Sequence, residues 1–238
     1  MNKQRIDYNS RLFGGNRIRR AFHYSRFYAV TDAIKRYKLK YKTVLELGCF
    51  DGKFLDFLPS LPLVYKGFDA NWEGGLNTAK KRKVNNPNYE FNMAQKPKDM
   101  NLKNEEKFDL IVSMETFEHI PPELVCPYLK KLAKHLKGHL VITVPNEKGI
   151  FFIIKRLLKP KGPKNGSESK FSFMDIINLT LGKTNYVKRH EHKGFDYDHL
   201  IYDIRKFFKV TSVSGYSINR FIPKSLSFGV CIVAENKY

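Results

Sequence analysis

Glu46-Leu47-Gly48-Cys49-Phe50-Asp51-Gly52 is the stretch on which the fold turns. It grows out of an apolar run, Thr43-Val44-Leu45-Glu46-Leu47. Such near-continuous hydrophobicity marks a strand buried on both faces of a parallel sheet. Gly52 to Leu58 then restarts a helical pattern, stopped by Pro59 and Pro62. A strand that ends in a glycine-rich turn and opens a helix brings bare backbone close to a nucleotide-like ligand. The dinucleotide fingerprint G-x-G-x-x-G fits poorly. Started at Gly48, its later glycines fall on Phe50 and Lys53. A nicotinamide-dependent enzyme is therefore disfavoured, and a tight turn with no ligand is the plain alternative.

Downstream the alternation continues. Leu63 to Phe68 reads as a second strand, Gly74 to Lys83 as a helix and Tyr89 to Met93 as a third strand. Phe108 to Met114 reads as a fourth strand, Pro122 to Lys137 as a helix stopped by Gly138, and His139 to Val144 as a fifth strand ended by Pro145. This order predicts a doubly wound α/β sheet with right-handed crossovers. Residues 146–187 break the rhythm with Gly, Pro, Lys and short apolar runs, and read as an insertion. A helix over Tyr197 to Phe208 and two β-rich runs, Val210 to Val213 and Phe228 to Ala234, close the chain. Upstream, residues 1–20 form a basic arm. Residues 21–40 read as a helix, with Phe22, Phe27, Val30, Ile34 and Tyr37 recurring at helical intervals. The expected organisation is an arm and helix over 1–40, followed by one domain over 41–238 with an insertion at about 146–187.

The Glu46–Gly52 loop resembles motif I of class I S-adenosylmethionine-dependent methyltransferases, an acidic residue followed by x-Gly-x-Gly-x-Gly. The resemblance implies a Rossmann-like seven-stranded sheet, mostly parallel with a C-terminal antiparallel strand. It also implies S-adenosyl-L-methionine as cofactor. Glu46 would organise the loop near the methionine amino group, and Gly48 and Gly52 would admit the ligand beside Cys49 and Phe50. Phe50 departs from the pattern by replacing the middle glycine. Three further stretches match in order. Lys66-Gly67-Phe68-Asp69 places Asp69 where the family's acidic residue bonds the ribose hydroxyls, with helix N-capping as its structural alternative. Ala70, Asn71 and Trp72 follow and would line the adenine edge. Asn92-Met93-Ala94 falls where the family often carries Gly-Asp-Ala, so a contact at Met93 would have to come from backbone. Phe108 to Ser113 resembles the fourth-strand motif and brings Ser113 to the site.

Met114-Glu115-Thr116-Phe117-Glu118-His119 sets two carboxylates and an imidazole at the rim of the sheet. The Glu-x-x-Glu-His spacing resembles ubiquinone-pathway O-methyltransferases and small-RNA 3′-terminal 2′-O-methyltransferases. The second group adds a later Arg-His-x-His-x-Phe segment, matched here by Arg189-His190-Glu191-His192-Lys193-Gly194-Phe195 with one extra residue before Phe195. By that resemblance Glu115, Glu118, His119 and His192 would hold Mg²⁺ or Mn²⁺, which suit oxygen and imidazole ligands. The alternative is a metal-free pocket in which His119 or His192 is the general base and Glu115 orients the acceptor. His135 and His139 flank a helix end and read as solvated, and Tyr24 is a candidate cover for the cofactor.

Net charge +20 attracts phosphate-rich partners, but lysine far exceeds arginine, the bias an AT-rich genome imposes on any surface. Ile150 to Lys164 is a basic apolar stretch that suits either an anionic membrane surface or a lid helix with a solvated basic face. Three scattered cysteines without paired spacing fit a reducing cytoplasm. The polar start is unlike a secretory signal, and no apolar run approaches a bilayer span. The expected location is cytoplasmic, with peripheral attachment to the inner face of the membrane an alternative. The segment after the fifth strand also resembles, loosely, bacterial methyltransferases of surface saccharides and their lipid-linked precursors. The expected activity is O-methylation of a small-molecule or glycan acceptor, a saccharide or lipid-linked metabolite. RNA 2′-O-methylation is the alternative, weakened by the lack of an RNA-binding signature, and a non-catalytic scaffold is a third.

Overall fold

The computed structural model describes residues 17–83, 86–158, 171–190, 192–217 and 226–237. Residues 1–16 of the basic arm, 159–170 of the insertion, Glu191 and the side chain of Phe22 lie outside the described residues.

Seven strands form one sheet: β1 (Thr43–Leu47), β2 (Val64–Asp69), β3 (Tyr89–Met93), β4 (Phe108–Met114), β5 (Leu136–Pro145), β6 (Phe208–Tyr216) and β7 (Gly229–Asn236). Their spatial order is β3-β2-β1-β4-β5-β7-β6. β1 pairs in parallel with β2 and β4, β2 with β3, and β4 with β5, while β7 runs antiparallel between β5 and β6. The order reverses between β1 and β4, and that switch point opens a crevice at the carboxyl ends of the strands.

Period-two alternation divides the core. Val44, Leu110, Val112, Met114, Val141 and Val233 face helices α1 (Arg17–Arg36) and α2 (Leu76–Lys83). Leu45, Leu47, Ile111, Leu140, Ile142 and Ile232 face α3 (Pro122–His135) and, later in the chain, the helix Tyr197–Phe207. In α1 the buried residues Phe27, Val30 and Ile34 form the stripe that the periodicity predicts, while Tyr37 is exposed at its end and donates to Ser212 Oγ at 2.7 Å.

Three expectations shift. The helix expected from Gly52 to Leu58 is a single 3₁₀ turn, Lys53–Asp56, entered through Gly52 in the left-handed region. The fifth strand starts three residues early, because α3 passes into β5 without a loop and Gly138 lies inside the strand. A Cβ on Gly138 would stand 2.3 Å from the carbonyl oxygen of Asp109, where the β4–β5 register shifts. His135, read as solvated, is buried, and its Nδ1 lies 2.7 Å from the Glu106 carbonyl oxygen.

The described part of the insertion holds α4 (Ile150–Leu158) and α5 (Phe173–Thr180), followed by the closing helix α6 (Tyr197–Phe207). Ser172 caps α5 reciprocally with Asp175. Phe152, Leu179 and Val187 form a satellite core under these short helices.

Candidate active site

A cavity of about 380 Å³ opens at the carboxyl ends of β1, β2 and β4, within the range of small-molecule sites. The chain folds back tightly after β1: the amides of Gly48 and Cys49 both donate to the Phe68 carbonyl, at 2.7 and 3.1 Å. Gly48 has φ +81°, and a Cβ there would stand 1.9 Å from Thr116 Oγ1. The motif thus needs glycine at 48 because the strand end passes hard against the segment after β4. Phe50 itself sits at φ +45°, with its ring against Gly75.

Asp69 ties the two loops together. One carboxylate oxygen accepts from the Phe50 amide at 3.0 Å and the other from the Asn71 amide at 2.6 Å. Each oxygen keeps a further lone pair for a ligand hydroxyl. Burial pushes the Asp69 carboxyl up, opposed by those two amides. Glu46 shares the face of Val44 and is buried at the cavity floor, where the Tyr65 hydroxyl donates to it. Burial raises its carboxyl to about 8; the Tyr65 bond opposes the rise, and the nearby Asp51 and Asp69 add to it.

Glu46, Gly48, Cys49, Phe50, Asp69 and Ala70 line the cavity; Gly52, Met93 and Ser113 do not. The geometry explains each exception. A Cβ on Gly52 would meet the Phe91 ring at 2.8 Å, so this glycine faces β3. Met93 shares the Phe91 face of an edge strand and is 59% exposed, leaving Ala94 and Gln95 at the wall. Ser113 shares the Ile111 parity and is buried behind the sheet. Trp72 lines the cavity too. From α1 the lining residues are Arg26 and Phe27, not Tyr24. Arg26 and Thr116 are the additions sequence reasoning missed. A motif search has no hold on a lone arginine of a basic helix, and only the depth of Gly48 reveals Thr116.

The acceptor side begins where β4 ends. Glu115 takes φ +50°, its amide donates to the Thr143 carbonyl at 2.9 Å, and its carboxylate accepts the Tyr216 hydroxyl. Glu118 is 1% exposed, and neither carboxylate oxygen has a hydrogen-bond partner among the described residues. Burial and the neighbouring Glu115 push its carboxyl up, while His192 opposes. His119 Nε2 lies 3.9 Å from Glu118 Oε1. Burial, with His192 beside it, lowers the His119 imidazole to about 4, so the ring is neutral near pH 7.

His192 arrives on a miniature hairpin. His190 and Lys193 exchange backbone hydrogen bonds at 2.9 and 3.0 Å, and His192 stands in the turn between them. The extra residue before Phe195 is absorbed by Gly194 at φ +69°, where a Cβ would press on the Val187 carbonyl at 2.8 Å. Arg189 Nη2 donates to the carbonyls of Phe117 and Ile120, both at 3.1 Å, and so clamps the hairpin to the loop that carries His119. The other side is held by Lys193, 2.8 Å from Asp175 of α5. The His119 and His192 rings meet edge to face at 4.6 Å, and His192 Nδ1 lies 3.4 Å from Glu147. Ligand atoms of Glu118, His119 and His192 lie within 4.8 Å of one another. Glu115, the fourth expected ligand, falls outside that group. An unpartnered buried carboxylate beside two imidazoles fits a divalent cation, which would offset the charge burial disfavours.

The family model described as a methyltransferase domain matches residues 22–197. Among solved structures, an S-adenosylmethionine-dependent methyltransferase from Clostridium acetobutylicum is similar at 12% identity, covering 96% of each chain with a TM-score of 0.65. The N-methyltransferase NodS from Bradyrhizobium japonicum, solved with S-adenosyl-L-homocysteine, is 13% identical over 95% of this chain and 91% of its own, at 0.56. The methyltransferase domain of bacterial CtHen1 is 15% identical over 90% of this chain and 99% of its own, also at 0.56. No curated protein sequence matches the chain. The seven-stranded order with β7 reversed, the cavity at the switch point and the match across most of the sequence place this chain in the class I S-adenosylmethionine-dependent methyltransferase family.

Proposed function

We propose that the chain O-methylates a small hydroxylated acceptor, a saccharide or lipid-linked metabolite, with S-adenosyl-L-methionine held in the β1–β2–β4 crevice. The observation that carries this reading is the His119 imidazole on the cavity wall, with His192 edge-on against it. In the reaction the acceptor oxygen forms a bond to the methyl carbon as the carbon–sulfur bond breaks. The sulfur keeps the electron pair, and His119 takes the hydroxyl proton. Alignment of the two partners supplies much of the acceleration. Asp69 would bind the ribose hydroxyls, and Glu46, protonated in the empty cavity, would release its proton as it takes up the methionine ammonium. Arg26 at the α1 side offers a cation to the methionine carboxylate.

Glu118, His119 and His192 would hold Mg²⁺ or Mn²⁺. Such an ion, when bound, lowers the pKa of an acceptor hydroxyl. His119 cannot both ligate an ion and accept the proton through the same nitrogen, so a chelator separates the two roles. Activity lost in EDTA and in Glu118→Ala supports the metal role, whereas full activity in excess EDTA removes it.

A second reading, RNA 2′-O-methylation, draws on the convergence of Glu118, His119 and His192, on the net charge of +20 and on the likeness to the CtHen1 domain. RNA affinity that falls steeply with salt would favour it. The first reading is tested by incubating the protein with labelled cofactor and hydroxylated acceptors. The expected product is a methyl ether, formed about 10²–10⁴-fold more slowly by His119→Ala at unchanged cofactor affinity. Label on nitrogen or carbon, or an undiminished variant, would overturn it.

A further inference from the structure

The two helices of the insertion show solvent an apolar surface that the methyl-transfer site does not use. In α4, Ile150, Ile154 and Leu157 recur at the spacing of one helix face and are 64%, 37% and 80% exposed. The helix is nevertheless anchored. Phe151 and Phe152 on its inner side are buried, the first tilted against Phe228 and the second in the satellite core with Leu179 and Val187. At the start of α5, Phe173 and Met174 are 77% and 60% exposed. Leu181 and Tyr186 follow, both exposed. A folded helix pair that buries one apolar side and exposes another needs an explanation beyond the occasional surface leucine.

Charge identifies the occupant. Arg156 and Lys183 are exposed on the same insertion, and Lys188 is exposed just beyond it. Among the described residues the acids nearby are engaged: Asp175 by Lys193 at 2.8 Å, and Glu147 against His192. Between residues 148 and 170 the sequence carries seven Lys and Arg against one Glu. Aliphatic and aromatic side chains bordered by uncompensated cations match the headgroup–acyl boundary of an anionic bilayer. A second copy would bring the same positive charge against itself. A short helix pair without a spanning length lies in the interface, and among the described residues no helix is long and apolar enough to cross a membrane.

We propose that the outer face of α4 and the start of α5 dock the protein on anionic lipid. The proposal does not depend on which acceptor is methylated, and its test needs no turnover. The full chain is mixed with vesicles of phosphatidylglycerol and phosphatidylcholine, or of phosphatidylcholine alone, at about 0.15 M salt, and bound protein is measured by flotation. Binding to the anionic vesicles is expected. The doubly substituted Ile154→Asp, Leu157→Asp protein should bind at least about tenfold more weakly. Arg156→Glu should weaken binding severalfold and flatten its salt dependence. Cofactor binding and thermal midpoint serve as folding controls. If the double variant misfolds, Leu157→Asp alone, at a position 80% exposed, carries the test. Failure of the wild type to bind anionic vesicles, equal binding to neutral ones, or binding unaffected by the apolar substitutions overturns the proposal. So does a concentration-dependent dimer that these substitutions abolish, without vesicle binding.

Discussion

Replacing Gly48 with alanine tests the most crowded of the described glycines. The new methyl would start 1.9 Å from Thr116 Oγ1, 2.8 Å from its Cγ2 and 2.9 Å from its Cβ, on a residue held at φ +81°. An L-residue in the left-handed region costs about 1–2 kcal/mol. Thr116 must also move, giving up its 3.0 Å bond to the Met114 carbonyl, worth about 1 kcal/mol, and local overpacking adds roughly 1–3 kcal/mol. Gly48→Ala should therefore lose about 3–6 kcal/mol, a large share of the stability of a domain this size. Thr116→Ala alone should lose only about 1 kcal/mol. Combined with Gly48→Ala it removes the 1.9 Å collision but neither the dihedral cost nor the 2.9 Å contact. The double variant should then show a favourable coupling of about 1–2 kcal/mol. Urea unfolding followed by the single tryptophan, Trp72, which lines the cavity, measures all four proteins. A Gly48→Ala protein as stable as wild type, or strictly additive losses in the double variant, would refute this account of the loop.

The folded chain keeps a proton on Glu46 up to about pH 8, whereas the unfolded chain releases it near 4.5. The native state therefore binds more protons between those values, and stability should fall as pH rises through that window, by at most about 1.4 kcal/mol per pH unit. Glu46→Gln should flatten that slope in urea titrations at pH 5 to 8, and an unchanged slope would contradict the burial argument. Arg189→Met removes both bonds that clamp the hairpin to the Phe117 and Ile120 carbonyls. It should lower kcat at least about tenfold while leaving cofactor Kd unchanged, since the hairpin contributes nothing to the β1 and β2 loops; a change confined to Kd would be the opposite result. Cys49 and Cys231 are buried with thiols pushed up by burial, and Cys126 is half-exposed. A thiol reagent should titrate one cysteine in the native protein and three in urea.

The sheet was readable because buried parallel strands write themselves as apolar runs. Tyr89–Met93 and Phe108–Met114 match their predicted spans residue for residue. Glu46, Gly48 and Asp69 converge on one cavity, since a strand end, a glycine turn and an acidic residue on the next strand keep their spacing in sequence. Where the reading failed, the deciding quantity was side-chain direction. Ser113 is buried within its strand, Met93 stands exposed on the edge strand β3, and Gly52 turns toward Phe91. Gly138 looked like a helix stop because glycine carries that meaning more often than it marks a strand crowding its neighbour. His135 looked solvated because nothing local announces the Glu106 carbonyl that receives it. Arg26 and Tyr216 reach the site from opposite ends of the chain, with no spacing to betray them.

Phe50 occupies a dihedral region that glycine visits freely and phenylalanine avoids, and its ring is seated against Gly75. A glycine would leave the turn with many conformations in the ligand-free protein, to be given up on binding. The aromatic ring sets the turn in advance and bears the cost during folding, where the rest of the core can offset it. What looked like a defect in a glycine motif thus amounts to preorganisation: less disorder remains for the cofactor to remove when it arrives.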